Sequence, residues 1–202
     1  MRIERIIRQV QQELGVEVDG KAGPQTWAAI HGRILPTADR SLVEFALEGE
    51  RANARSEREI ATLLLVVQPY ARALYFKARG NGITVNVISG MRTFQEQDAL
   101  YARGRTRPGP IVTNARGGQS VHNFGLAFDI GVFEGNRYVT DSPKYEAIGA
   151  LGLELGLEWG GNWKSMIDRP HFQFRPPWAA ELTDRQMLAH LRRLREEGRA
   201  YV

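Results

Sequence analysis

The chain has 202 residues and no cysteine. That excludes disulfides and every thiolate metal site, so any bound metal is held by histidine and carboxylate, and the redox compartment is left open. Long apolar runs are missing too: no stretch approaches the ~18 apolar residues of a membrane span. The opening segment "MRIERIIRQVQQELG" alternates charge with aliphatics instead of offering the uninterrupted apolar core of a secretory signal. The expectation is a protein synthesised in the cytoplasm without a signal peptide and without stable membrane insertion. Histidine is scarce, with four in all. Acidic residues are absent between Asp98 and Asp129, where Arg103, Arg105, Arg107 and Arg116 lie.

What remains is an ordinary globular mixture, 43% hydrophobic and 25% charged. The length suits one domain and a small appendage, and a domain of ~150 residues buries roughly 70% of its unfolded surface, enough for a core without crosslinks. The formal charge of +4 favours an anionic partner, whether nucleic acid, cell-wall polymer or membrane surface, and does not choose among them.

Four segments follow from pattern and punctuation. Residues 1–34 form a small helical unit: Ile3, Ile6, Ile7, Val10 and Leu14 fall at helical spacing, Gly15 stops that helix, and a second short helix starts at Thr26. Residues 35–57 read as a charged helical linker. Residues 58–178 change character. "IATLLLVVQPYARALYFKAR" predicts an apolar helix interrupted or kinked near Pro69, "ITVNVI" a strand, and Thr93–Arg103 a helix. An irregular Gly-, Pro- and Arg-rich loop then runs to Ser120. It is either a solvated connection or a basic wall beside a cleft. "GLAFDIGVF" and "HFQF" alternate as strands, separated by a helix capped by Ser142 and Pro143 and stopped by Gly156. Residues 179–202 end in a helix with Leu188, Leu191 and Leu194 at three-residue intervals, read as docked on the domain rather than membrane-disturbing. The class is α+β: a small mixed or antiparallel sheet flanked by helices, with a short helical N-terminal appendage.

Alternation separates Asp129 from the bulky face of its strand, and does the same for His171 on the second strand. His122 stands just before the first strand, across Gly125. Taken singly, each residue has an ordinary structural use. Together, His122, Asp129 and His171 form a neutral and anionic donor set that suits one Zn2+ with a fourth position open to water, as in catalytic rather than structural sites. Asp168, three residues before His171, is either a turn-capping aspartate or a carboxylate brought near a metal without being spent as a ligand. Arg92, in "SGMRTF", is either a surface ion-pair partner or a stabiliser of developing negative charge. His31 and His190 join no constellation.

Three motifs, "SGMRTFQEQDALYARGRT", "SVHNFGLAFDIGVF" and "LEWGGNWKSMIDRPHFQF", resemble in order and spacing the zinc peptidoglycan peptidases grouped with D-Ala-D-Ala carboxypeptidases and dipeptidases. The nearest likeness is to the L-alanyl-D-glutamate endopeptidases of phage endolysins and bacterial wall hydrolases. The resemblance covers residues 55 to 178. It implies that His122, Asp129 and His171 are the zinc ligands, that Asp168 is general base and acid, and that Arg92 stabilises the oxyanion or orients substrate. Ser120 matches the serine two before the first histidine ligand, a partner of the ligands or a substrate contact. Trp159 and Trp163 are cleft wall or core, with Trp163 the candidate substrate contact, and Arg116 joins it from the basic loop. Some relatives carry glutamate where Asp168 stands, and the aspartate leans toward the endopeptidase branch. "VQQELGVEVDGKAGPQTWAAI" is similar to one copy of a peptidoglycan-binding repeat.

The leading expectation is thus a monomeric zinc peptidase that cuts the L-Ala–D-Glu bond of peptidoglycan stems, acting on the wall after release and binding no nucleic acid. D,D-carboxypeptidase or dipeptidase activity, an idle wall-binding module and a metal-dependent nuclease are the rivals, in that order.

Overall fold

The computed structural model describes residues 3–22, 26, 29–30, 49–164 and 166–202. The chain divides into two compact units, Met1–Glu50 and Arg51–Val202. In the first, helix α1 (Ile3–Leu14) ends at Gly15, whose φ of 67° takes the left-handed turn that stops it. Its buried residue is polar. Gln11 donates to Asp19 Oδ1 at 2.7 Å, to the Lys21 carbonyl at 3.0 Å and to Thr26 Oγ1 at 2.9 Å, while its own oxygen accepts from Gly20 N at 2.8 Å. This amide, rather than the aliphatic stripe, ties the "DGK" turn to the helix; Ile3 and Ile6 are exposed. Most of the expected linker lies outside the described residues.

The second unit opens with α2 (Ala54–Ile60), capped by Asn53 Oδ1 accepting from Ser56 N at 2.9 Å. The apolar run that follows is interrupted ahead of Pro69 rather than kinked. Leu64 gives its amide to the Gly125 carbonyl at 3.0 Å, so the chain leaves the helix and re-enters it as α3 (Gln68–Gly80). Pro69 sits in the first turn of α3, where its missing N–H costs nothing. Glu57 joins the two helices, accepting from Arg72 Nε at 2.9 Å and Nη2 at 2.7 Å. Burial would raise this carboxyl, but the Arg72 bonds and the Ala52 amide outweigh it and hold the pKa below its ordinary value. A depressed acid stabilises the fold above the unfolded pKa and loses that contribution as pH falls through the folded one. Glu57→Gln is therefore expected to cost about 1 kcal/mol at neutral pH, solvent screening keeping it near the lower end. Denaturant titrations should show native and variant converging in acid.

Strands β1 (Val85–Ser89), β2 (Ala127–Glu134), β5 (His171–Gln173) and β4 (Glu158–Trp159) lie in the order β1-β2-β5-β4, with β3 (Arg137–Val139) pairing the far end of β2; every pairing is antiparallel. With α4 (Phe94–Ala102), α5 (Lys144–Glu154) and α6 (Asp184–Glu196), this is an α+β fold. The capping of α5 slips by one residue: Pro143 holds the cap position, and Ser142 Oγ accepts from Lys144 N at 3.3 Å. One face of β2, with Phe128, Ile130 and Val132 fully buried, packs toward the core. Phe172 stacks between Phe128 and Trp159, with centroids 6.0 and 6.5 Å away, so Trp159 belongs to the core and not to a cleft. Met187, Leu191 and Leu194 of α6 are buried, and the C-terminal helix is docked, not free. No helix among the described residues is long and apolar enough to cross a membrane.

Candidate metal centre

Register brings the donors together. Asp129 of β2 is paired directly with His171 of β5, so both side chains leave the same face of the sheet as cross-strand neighbours. On the other side of β2, Ser89 faces Asp129 beside a register shift in β1 between Val87 and Ser89. His122 arrives on a 3-10 turn, Val121–Phe124, closed by Gly125 at φ 68°, a left-handed conformation that hands the chain into β2. Arg92 N donates to the His122 carbonyl at 3.0 Å, and Asn123 Nδ2 donates to the Arg92 carbonyl at 2.9 Å, fastening this turn to the segment after β1.

The protons of both imidazoles are committed elsewhere. His122 Nδ1 lies 2.8 Å from the Gly90 carbonyl, which can only accept, so the proton is on Nδ1 and Nε2 is a lone pair. Gly90 cannot be larger, because a Cβ would sit 2.2 Å from Thr62 Oγ1 and 2.4 Å from the Glu59 carbonyl. On the other ring, His171 Nε2 lies 3.1 Å from Gln173 Oε1, while the Gln173 amide nitrogen donates to Glu158 Oε2 at 2.5 Å. The oxygen of Gln173 is thus the acceptor, and His171 turns its unprotonated Nδ1 inward. His122 Nε2 and His171 Nδ1 are 3.1 Å apart, and Asp129 Oδ1 lies 3.2 and 3.4 Å from them. Asp129 Oδ1 is buried with no hydrogen-bond partner.

Three electron-pair donors therefore converge and crowd one another. A cation resolves that conflict, and these residues fit one. They are the one group of its kind among the described residues, with their ligand atoms all within 4.8 Å of one another. Burial would raise the Asp129 carboxyl, yet the flanking imidazoles overcome it and hold it well below the usual carboxylate range. Burial pushes His122 down toward the neutral form; burial would lower His171 too, but the Asp129 carboxylate beside it outweighs that and pushes it up.

The donors floor an open cavity of about 760 Å³. Arg92, Ser120, Trp163 and Asp168 line it, and the Trp163 ring lies 4.9 Å from that of His171. Arg92 reaches Gln97 Oε1 at 3.1 Å and Asp129 Oδ2 at 3.5 Å, leaving its buried Nε without a partner. The half-buried carboxylate of Asp168 makes no hydrogen bond among the described residues; burial and the Asp129 charge push its pKa above the ordinary value. Arg116 is not brought in. Its guanidinium lies 4.8 Å over the Tyr101 ring, outside the cavity lining. Leu188 and Asp184 of α6 do line the cavity. No local signal in the sequence points to them, because their part depends on where a distant helix docks. Gln173 was within reach, standing two residues beyond His171 and so on the same face of its strand.

Outer partners of a liganding histidine fix its tautomer and typically carry a 10–100-fold share of metal affinity. Gln173→Leu is expected to weaken zinc binding by roughly that 10–100-fold factor, measured by chelator competition. An unchanged affinity would show that Gln173 does not orient His171.

Two imidazoles and one carboxylate leave a coordination position for water, which is how hydrolytic zinc differs from structural zinc. The molecule is of the metallohydrolase class. A family model described as D-alanyl-D-alanine carboxypeptidase matches residues 113–174. Over 121 residues the chain is 39% identical to the peptidoglycan L-alanyl-D-glutamate endopeptidase CwlK of Bacillus subtilis, covering 55% of this chain and 72% of that protein. The L-alanyl-D-glutamate peptidase of Listeria phage A118 is 31% identical over 107 residues, 52% of this chain and 35% of its own length. Among solved structures, the L-Ala D-Glu endopeptidase ChiX of Serratia marcescens aligns with a TM-score of 0.48 and 25% identity, over 64% of this chain and 92% of ChiX. The chain belongs to this family of zinc peptidases.

Proposed function

We propose that this protein is a zinc endopeptidase of peptidoglycan that hydrolyses the L-alanyl–D-glutamate bond of stem peptides, with His122, Asp129 and His171 holding the ion. The observation that carries the reading is the convergence of two imidazole nitrogens and a carboxylate oxygen beneath an open cleft, in a chain whose relative CwlK bears that activity in its name. Bound there, zinc supplies Lewis acidity, polarising a carbonyl and lowering the pKa of water to about 7. The chain does the rest. Asp168 lines the cavity without being one of the three donors. Its uncommitted, more basic carboxylate takes the proton of the attacking water and delivers it to the leaving amine. Arg92 holds Asp129 by Oδ2, which leaves Oδ1 to the imidazole side, and its unpartnered Nε offers a donor to developing negative charge. Trp163 and Ser120 wall the cleft where the peptide lies. All these groups come from one chain, so a monomer suffices, and the place of action is the cell wall.

The family model's own description favours terminal D-alanine release as the second reading. Mass spectrometry of fragments released from purified sacculi, with and without a zinc chelator, separates the two. Chelator-sensitive stem peptides with a new amino terminus on D-Glu support the endopeptidase. Loss of terminal D-Ala alone would move the protein to the carboxypeptidase branch. No release by folded, zinc-loaded protein would sink both.

A further inference from the structure

The arginines of the 103–116 loop divide into two kinds. Arg105 is spent on the loop itself: it donates to the Tyr101 carbonyl at 2.7 Å, the Thr113 carbonyl at 3.0 Å and Asn114 Oδ1 at 2.7 Å, and lies 4.0 Å over the Tyr101 ring. Arg116 stacks on the same ring from 4.8 Å. Arg103 and Arg107 are exposed, and their guanidinium groups make no hydrogen bond or ion pair among the described residues. Nevertheless the backbone sets them together. The two residues form a bridge, and Gly104 N donates to the Arg107 carbonyl at 2.8 Å. The turn between them needs glycine at 104, since φ is 70° and a Cβ would meet Ile111 N at 2.7 Å.

Both arginines line a second cavity of about 670 Å³. It shares Arg92, Leu100 and Arg103 with the cavity over the metal centre, so the two adjoin along a common wall. Among the described residues, Glu96 is the one acidic group in the lining of the second cavity, and its Oε2 accepts from Thr93 N and from Thr93 Oγ1, each at 2.8 Å. Against that single carboxylate stand Arg92, Arg103 and Arg107, so this branch of the cleft carries a surplus of guanidinium charge. Planar, forked donors of this kind suit a carboxylate.

Resting on the endopeptidase reading above, we propose that Arg103 and Arg107 form an anion subsite for the free α-carboxylate of the D-glutamate unit. That unit donates the amide nitrogen of the cleaved bond. Where its chain continues through the γ-carboxyl, its α-carboxylate is the substrate charge nearest the reaction, and the subsite adjoins the metal cavity.

The test compares stem peptides that differ only at this carboxylate, free or amidated, with zinc-loaded native protein and the double variant Arg103→Gln/Arg107→Gln. Amidation is expected to lower native kcat/KM roughly 10-fold, the size of a hydrogen bond to a charged group. In the double variant the free peptide falls to the level of the amidated one and the selectivity disappears; Arg107→Lys, which keeps charge but not the fork, retains part of it. Zinc content and thermal midpoint should not change, because both side chains are exposed. Selectivity that survives in the double variant, or an equal loss on both peptides, would overturn the subsite alone. Cleavage of neither peptide by native protein would overturn the endopeptidase reading and the subsite with it.

Discussion

His122→Ala is expected to give a folded chain that holds no stoichiometric zinc and hydrolyses stem peptides no faster than background. The native ring is 1% exposed, delivers one nitrogen to the donor cluster and anchors the other on the Gly90 carbonyl. Losing a ligand must cost more than losing an outer partner, which typically weakens metal affinity by about 10–100-fold. The deletion also leaves a cavity and an unpaired Gly90 carbonyl. In the metal-free state it removes one of three crowded lone pairs, which offsets part of that cost. Thermal melts with and without zinc separate the effects. A ligand that binds only the folded state stabilises it by about 4.1 kcal/mol at 1,000 times its Kd. The native protein should show a zinc-dependent rise in melting temperature and the variant should show none. Stoichiometric zinc retained by His122→Ala would remove this residue from the ligand set.

Two of the three donors were legible through a two-residue period. Alternation alone puts Asp129 and His171 opposite the aromatic faces of their strands, and the antiparallel register of β2 and β5 then makes them neighbours. The fold class was legible for the same reason. Other features depend on contacts distant in sequence. An interruption near Pro69 was legible, but not where the first helix stops: the break between α2 and α3 begins after Ile60, and the amide of Leu64 is claimed by Gly125, sixty-one residues further along the chain. The loop arginines look alike as letters. Only the position of the Tyr101 ring divides those that brace the loop, Arg105 and Arg116, from those that face the cleft, Arg103 and Arg107. In α1 the helical spacing of aliphatics was visible, but the residue this helix buries is Gln11, whose partners arrive from beyond the helix.

Asp168→Asn is expected to separate zinc binding from turnover. Asp168 is outside the three-donor cluster, so the variant should bind zinc with native stoichiometry and keep the zinc-dependent gain in melting temperature. Its hydrolysis should fall by about 10²–10⁴-fold, the usual share of a positioned acid–base group. The loss should fall mainly on kcat, because an amide of the same shape still fills the cleft but can neither take a proton from water nor return one to the leaving nitrogen. Fixed in the turn before β5 by its amide on the Gly160 carbonyl at 3.1 Å and its carbonyl on His171 N at 3.2 Å, the residue has little freedom to be replaced by a neighbour. Asp168→Glu tests the geometry with the chemistry preserved: a carboxylate one methylene longer can still carry the proton, so partial activity should return. Should zinc leave with the asparagine substitution, Asp168 would be a ligand and the proton carrier would lie elsewhere. Should kcat stand while KM rises, the residue would bind substrate without moving its proton. Loss of turnover with zinc retained is the outcome that only a proton-carrying role produces.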